Sequence, residues 1–373
     1  MAATSDIRIL DNPTIHDLLI NLSQDEAIEF RHVIEKTFEE FSTNGERLYQ
    51  PGPGVVNRPN GQSTLFRPFT SDSSVGTKIT VDPAPEPDGR KDPLHGVIVL
   101  CDGKGNLTGV MNSEEITGYR TSMNAMVPFS WRRQVDNIVI FGAGVQALWH
   151  TRLILTLRGS DVSTITYISS PRANQLIETV SAENRVHWKA NCSFHFIDNT
   201  AADSQEKIES ALADVNCIFT TTPSSKPLFP AHYLDTKRSP APYISAIGSW
   251  QPEMIELDPA LLRLAVASDT GYNPMTGKDE GVILTDDRDF ALTNSGELVQ
   301  SKITAKDIVE LGEIIGLGSG KGASAALANT NLQKRDRLLS EVFVIYKSVG
   351  VSLTDLTVSN AILELARRKQ QKL

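Results

Sequence analysis

Apolar positions in the first third of the chain fall into short runs broken by turn residues. Ile7–Leu10 reads as a strand. Ser23-x-x-Glu26 forms a capping box ahead of Ala27, Phe30, Ile34, Phe38 and Phe41, whose spacing predicts an amphipathic helix. Beyond it the chain is rich in Pro and Gly from Pro51 to Gly61. Short strands are then predicted at Ser63–Phe66, Val75–Val81 and Gly96–Cys101. The run Pro83–Pro93 reads as a surface loop, and Asp102–Asn106 as a hairpin turn. Asn112-x-x-Glu115 can cap another helix, with Ile116, Tyr119, Met123, Met126 and Val127 on one face. Thr117, Arg120, Thr121 and Asn124 form an adjoining stripe. That stripe is either a solvated helix face or a guanidinium fork presented to a carboxylate or phosphate.

After a boundary expected near Trp131–Val135, apolar runs alternate with helical stretches. The run Val135–Phe141 ends in Gly142-Ala143-Gly144-Val145-Gln146-Ala147 and passes into a helical pattern through Leu148, Thr151 and Leu155. Further strands are predicted at Thr164–Ile168, Cys192–Ile197 and Val215–Thr220, with short apolar runs at Pro242–Ile247 and Leu264–Ser268. A helix is expected between Asp203 and Ala213. Alternation of this kind predicts an α/β fold with a parallel sheet covered on both faces.

The glycine turn brings in chemistry. Gly142 permits a tight turn, and Gly144 lets backbone approach a phosphate closely. Ala147 lets the helix pack on the strand, and the helix N-terminus favours an anion. A dinucleotide pyrophosphate site follows, against the alternative of a plain strand-to-helix turn. After the next strand stands Ser169-Ser170-Pro171-Arg172, where NAD-preferring folds place an acid. Two hydroxyls and a guanidinium suit a 2′-phosphate, so NADP is expected, with NAD possible. The plainer reading is a polar turn with Arg172 in solvent.

With 373 residues and 40% hydrophobic content, the chain can build two cores. Its net charge of −9 argues against nucleic acid or an anionic membrane as the main partner. No apolar run is long enough to cross a bilayer, and the N-terminus has no basic-then-apolar leader pattern. A cytoplasmic protein is expected. Cys101, Cys192 and Cys217 are scattered and read as buried small hydrophobes, with no metal site.

Several segments carry a resemblance to the ornithine cyclodeaminase/mu-crystallin family over nearly the whole chain. They are Gly76–Ile79, Leu94–Asp102, Ile116–Thr121, Phe141–Ala147, Thr220–Pro223, Ala246–Ser249, Glu256–Pro259, Val344–Gly350 and Asp355-Leu356. The resemblance implies a Rossmann-type doubly wound parallel-sheet domain at 132–335. An α+β substrate-binding and dimerisation domain would comprise 1–131, rejoined by 336–373, and the protein would be a homodimer. Lys78 matches the family lysine at the substrate's carboxylate or reacting end, although a strand lysine facing water is the alternative. Arg120 matches the arginine that binds the carboxylate, and Thr121 a threonine near the cofactor phosphates. The turn Gly142–Gln146, Thr221, Thr222 and the Ser348–Val349 pair match cofactor-contacting segments.

Two departures stand out. The family's early arginine is replaced by Pro53, while Arg67 stands where a methionine is usual and can supply the guanidinium; Arg58, in an apparent exposed turn, is the weaker stand-in. Trp250 occupies the position of the aspartate that handles the amino group in cyclodeaminases. An indole exchanges no proton at physiological pH. The resemblance is therefore nearer to the ketimine-reductase branch, and Trp250 would line the substrate pocket. His95 is the candidate for nitrogen contact or proton donation, against a strand histidine bonded to backbone, and Glu253 is a weaker acid candidate. The activity implied is reduction of a cyclic imino acid or related imine by hydride from a nicotinamide cofactor. Three others stay open: a cyclodeaminase-like lyase recycling NAD, an opine-type dehydrogenase, and a non-catalytic NADP-binding protein.

Overall fold

The computed structural model describes residues 7–90, 92–249, 251–267, 271–319, 325–340 and 342–371. The chain divides into two units. The first comprises residues 1–120 with 351–373, and the second residues 121–350.

The first unit is α+β. Strands β1 (Arg8–Leu10), β2 (Gly54–Asn57), β3 (Ser63–Thr70), β4 (Ser74–Asp82), β5 (His95–Asp102) and β6 (Leu107–Asn112) form one sheet in the order β1-β6-β5-β4-β3-β2. Among the described residues, only the β1–β6 pair of this sheet is parallel. Side chains alternate across the sheet. Phe69, Ile98 and Leu100 point to one face and are buried, whereas Phe66 and Val75 point to the other and are exposed. The buried face is packed by the C-terminal helix Leu353–Gln370, which also lies against α1 (Asn12–Ile20) and α2 (Gln24–Thr43). Gly109 permits this approach, since a Cβ there would come within 2.7 Å of Leu363. The Ser23–Glu26 capping box forms in full at the start of α2. Helix α3 (Glu114–Phe129) begins in this unit and runs on past Arg120.

Among the described residues the second unit holds a parallel sheet of eight strands. They are β7 (Asn137–Phe141), β8 (Thr164–Ser169), β9 (Ser193–Asp198), β10 (Cys217–Thr220), β11 (Tyr243–Ala246), β12 (Ile283–Thr285), β13 (Ile308–Glu310) and β14 (Val344–Lys347). Their order is β13-β12-β14-β11-β10-β7-β8-β9, and every pair is parallel. All residues of β10, β11 and β14 are buried, which requires cover on both faces. The order runs outward in opposite directions from β7, to β8 on one side and β10 on the other. Ligands of doubly wound sheets bind at such a reversal, at the carboxyl ends of the strands.

One expectation is corrected. The apolar run at Leu264 is the end of a helix, Pro259–Ala265, because Asp258 caps it by accepting from the Ala260 amide at 2.8 Å and Pro259 opens the first turn. The second unit starts at Thr121, within α3, and runs to Gly350, past β14, which pairs with β11 and β12 in the middle of the sheet; the bounds expected from the sequence were 132 and 335. Of the cysteines, all free, Cys217 is buried and the other two only partly so. Among the described residues no helix is long and apolar enough to cross a membrane.

Candidate functional site

Four charged side chains meet on the buried face of the first unit. Arg67 on β3 sits directly opposite Lys78 on β4, so both point to the same side. Arg120 arrives from α3, and Asp355 from the first turn of the C-terminal helix, where a carboxylate is favoured by the helix dipole. Lys78 Nζ donates to Asp355 Oδ1 at 3.2 Å and to Thr117 Oγ1 at 2.7 Å. Arg120 Nε donates to the same Asp355 oxygen at 3.2 Å. Lys78, Arg120 and Asp355 are 6%, 5% and 0% exposed, which rules out a strand lysine facing water.

The electrostatics follow from three cations around one carboxylate. Burial is the main force lowering the Lys78 ammonium from its ordinary 10.5 to about 8. Repulsion from Arg120 and Arg67 adds to the fall, while Asp355 opposes it. Burial alone would raise the Asp355 carboxyl, but Arg120, Lys78 and Arg67 outweigh it and hold the group below the usual range. Arg67 is lowered by burial first and by Arg120 second.

A pH dependence is expected from this. Lys78 must be charged to hold an anion, so kcat/KM for an acidic substrate falls as pH rises through about 8. The unfolded chain binds the lysine proton more tightly than the folded one between about 8 and 10.5, so this group adds stability as pH rises there. A pH–rate profile beside a pH series of melting temperatures checks both. A flat profile to pH 10 with falling stability would contradict the assignment.

His95 does not join the cluster. Lys78 pairs with Ile98, and His95 is three residues away, hence on the opposite face of β5. Its side chain is 73% exposed and its Nδ1 lies 3.0 Å from Glu114 Oε1. The role expected of it is withdrawn on that geometry. Glu253 is exposed, and Arg58 lies in the exposed hairpin turn after β2. Trp250 lies outside the described residues. Asp355 and Thr117 were not foreseen as site residues, although both lie in or beside segments carrying the resemblance.

The second unit builds a backbone cradle after β7. Gly142 adopts φ 114°, and a Cβ there would come within 2.5 Å of Thr221 Oγ1, so only glycine fits. Thr221 closes the turn by donating from its amide and hydroxyl to the Phe141 carbonyl at 3.0 and 2.8 Å. Helix α4 (Val145–Arg158) then starts from Gly144, and no side chain caps it. A Cβ on Gly144 would meet nothing within 4 Å. Bare first-turn amides facing open space fit a diphosphate. Ala143 is partly buried and Val145 exposed beside this space.

The other expected cofactor residues also belong to the second unit. Ser169 and Ser170, at the end of β8, are partly exposed, and Arg172 is exposed. Asp198 ends the neighbouring strand opposite Ser169, a carboxylate not weighed from the sequence, and it is engaged by the Thr200 amide and hydroxyl at 2.9 and 2.6 Å. Gln146 accepts weakly from Ser122 Oγ at 3.4 Å. Thr121, on α3, is partly exposed.

Two buried carboxylates shape the loops. Glu256 accepts from the Thr220 hydroxyl, the Thr222 amide and hydroxyl, and the Gly248 amide, at 2.7–2.9 Å. Asp286 accepts from the Ser348 hydroxyl at 2.6 Å and from the Val349 and Gly350 amides at 2.9 Å. The Ser348 hydroxyl is thereby committed to Asp286.

Residues 68–370 match the ornithine cyclodeaminase/mu-crystallin family, and the chain belongs to it. It is 25% identical to a Δ1-pyrroline-2-carboxylate reductase of Bacillus cereus, over 93% of each chain. Among solved structures it is similar to an archaeal alanine dehydrogenase dimer with bound NAD, with a TM-score of 0.69 and 20% identity over 98% of this chain and 97% of that one. It is also similar to the Thermococcus litoralis Δ1-pyrroline-2-carboxylate reductase in complex with NADH and L-proline. There the TM-score is 0.68, with 19% identity over 97% and 98% of the two chains.

Proposed function

We propose that this protein reduces a C=N bond adjacent to a carboxylate, using a reduced nicotinamide cofactor. The observation that carries the reading is the buried Lys78 and Arg120 around Asp355, with the partly exposed Arg67 beside them, an excess of positive charge that an acidic ligand would neutralise. The glycine turn at Gly142 and Gly144 supports nucleotide binding. The relative from B. cereus, by its name, reduces an imine that bears a carboxylate.

The nicotinamide, when bound, supplies the hydride. Arg120 and Lys78 anchor the substrate's carboxylate, which fixes the imine carbon in place. An iminium that arrives protonated needs no acid from the protein. An unprotonated imine draws its proton from Lys78, whose ammonium is poised at about 8. Thr117 and Asp355 hold the lysine by hydrogen bonds and so orient it.

Consumption of NADPH with small cyclic imino acids is the supporting result. Ammonia release from ornithine without net cofactor turnover would replace this reading with cyclodeamination.

NADP is the preferred cofactor in this reading, supported by Ser169, Ser170 and the exposed Arg172. Arg172→Asp is expected to weaken NADPH binding by about 10- to 100-fold, the range for losing a charge-assisted contact, and to leave NADH binding nearly unaltered. Titration with each cofactor decides. An unchanged ratio would show that Arg172 merely faces solvent.

A further inference from the structure

The cluster in the first unit holds more charge than one acid group neutralises. Arg67, Lys78 and Arg120 are three cations and Asp355 a single anion, which leaves two positive charges in excess. Lys78 gives two of its three donors to Asp355 and Thr117. The two guanidinium groups are further from satisfied. Arg120 spends only its Nε on Asp355, so its terminal nitrogens remain to be used. Arg67 has a buried Nε with no hydrogen-bond partner, and no carboxylate among the described residues forms an ion pair with it. It sits across the β3–β4 pair from another cation, an arrangement that opposes folding unless an anion relieves it. Each fork matches one carboxylate through two parallel hydrogen bonds. One carboxylate fills one fork.

We propose that the substrate imine carries two carboxylates, one taken by Arg120 with Lys78 and the other by Arg67, which makes Arg67 the specificity-determining residue. The inference rests on the imine-reductase reading above. Two sources give this chemistry: a 2-oxo diacid condensed with ammonia, or a 2-oxo acid condensed with an amino acid. The balance is the same for both. Hydride from the reduced nicotinamide bonds to the imine carbon, the π pair of C=N moves to nitrogen, and nitrogen takes one proton. The products are an amine diacid and the oxidised nicotinamide.

The test compares wild type, Arg67→Met and Arg67→Lys on three probes with NADPH. Oxaloacetate with ammonium represents the first source, pyruvate with glycine the second, and pyruvate with ammonium is the single-acid control. Wild type is expected to favour one diacid probe over the control by at least about tenfold in kcat/KM, and which one identifies the source. Arg67→Met is expected to lower that diacid value by about a hundredfold, and the control by far less. Arg67→Lys, which keeps the charge but not the fork, should fall between and guards against misfolding of the methionine variant. Preference for the control, equal losses on all probes, or a matching rise in the Kd for NADPH would each overturn the two-acid substrate. If only single-acid imines are reduced, this inference alone falls. If no imine consumes NADPH, the reductase reading falls with it.

Discussion

Arg120→Ala lowers kcat/KM for an imino-acid substrate by about two to three orders of magnitude and leaves the Kd for NADPH within about threefold. The guanidinium is 5% exposed, so its contact with a carboxylate is made in a desolvated setting where a charge pair is worth far more than at the surface. Removing one partner of such a pair costs roughly 2–5 kcal/mol, which sets the size of the loss. The variant should still fold. Asp355 keeps its hydrogen bond from Lys78, and one of three mutually repelling cations has gone. Steady-state kinetics and a cofactor titration on the same preparation check the split. Equal losses in both would reject Arg120 as the carboxylate anchor.

Asp355→Ala has the other large effect, on stability. The carboxylate is fully buried and is the sole anion in contact with Lys78 and Arg120 among the described residues. Its removal leaves three cations with no counter-charge, at about 3–5 kcal/mol. That corresponds to a fall in Tm on the order of 10 °C. The sign of the pH dependence follows from the depressed carboxyl. The folded pKa lies below the unfolded one, so the contribution is present above the unfolded value and lost as pH falls through the folded value. Wild type and variant should therefore converge in acid. Thermal melts from pH 7 downward test this, and a constant difference would contradict it.

How much of this was legible in the chain depended on how local the determinants are. The cradle was readable because strand, glycine turn and helix are contiguous from Asn137 to Arg158, and the chemistry of each glycine is set by its neighbours. The charge cluster was half readable. Lys78 and Arg120 stood out through resemblance, but Asp355 lies 277 residues from Lys78, and no periodicity links them. The pairing of Arg67 with Lys78 depends on the register of the β3–β4 hairpin, which a one-residue slip would reverse. His95 shows the same rule from the other side: its strand was identified, its face was not. Leu264 misled for a further reason, since a short apolar run fits strand and helix alike until Asp258-Pro259 is read as a cap.

In the proposed reaction hydride passes from the nicotinamide to the carbon beside an anchored acid group. NADPH carrying deuterium at the transferable C4 position, incubated with the best imino-acid substrate, follows that transfer. One deuterium on the product carbon next to the carboxylate, read by mass spectrometry, is the predicted result. Product free of deuterium, or ammonia released while the labelled cofactor stays intact, would contradict it.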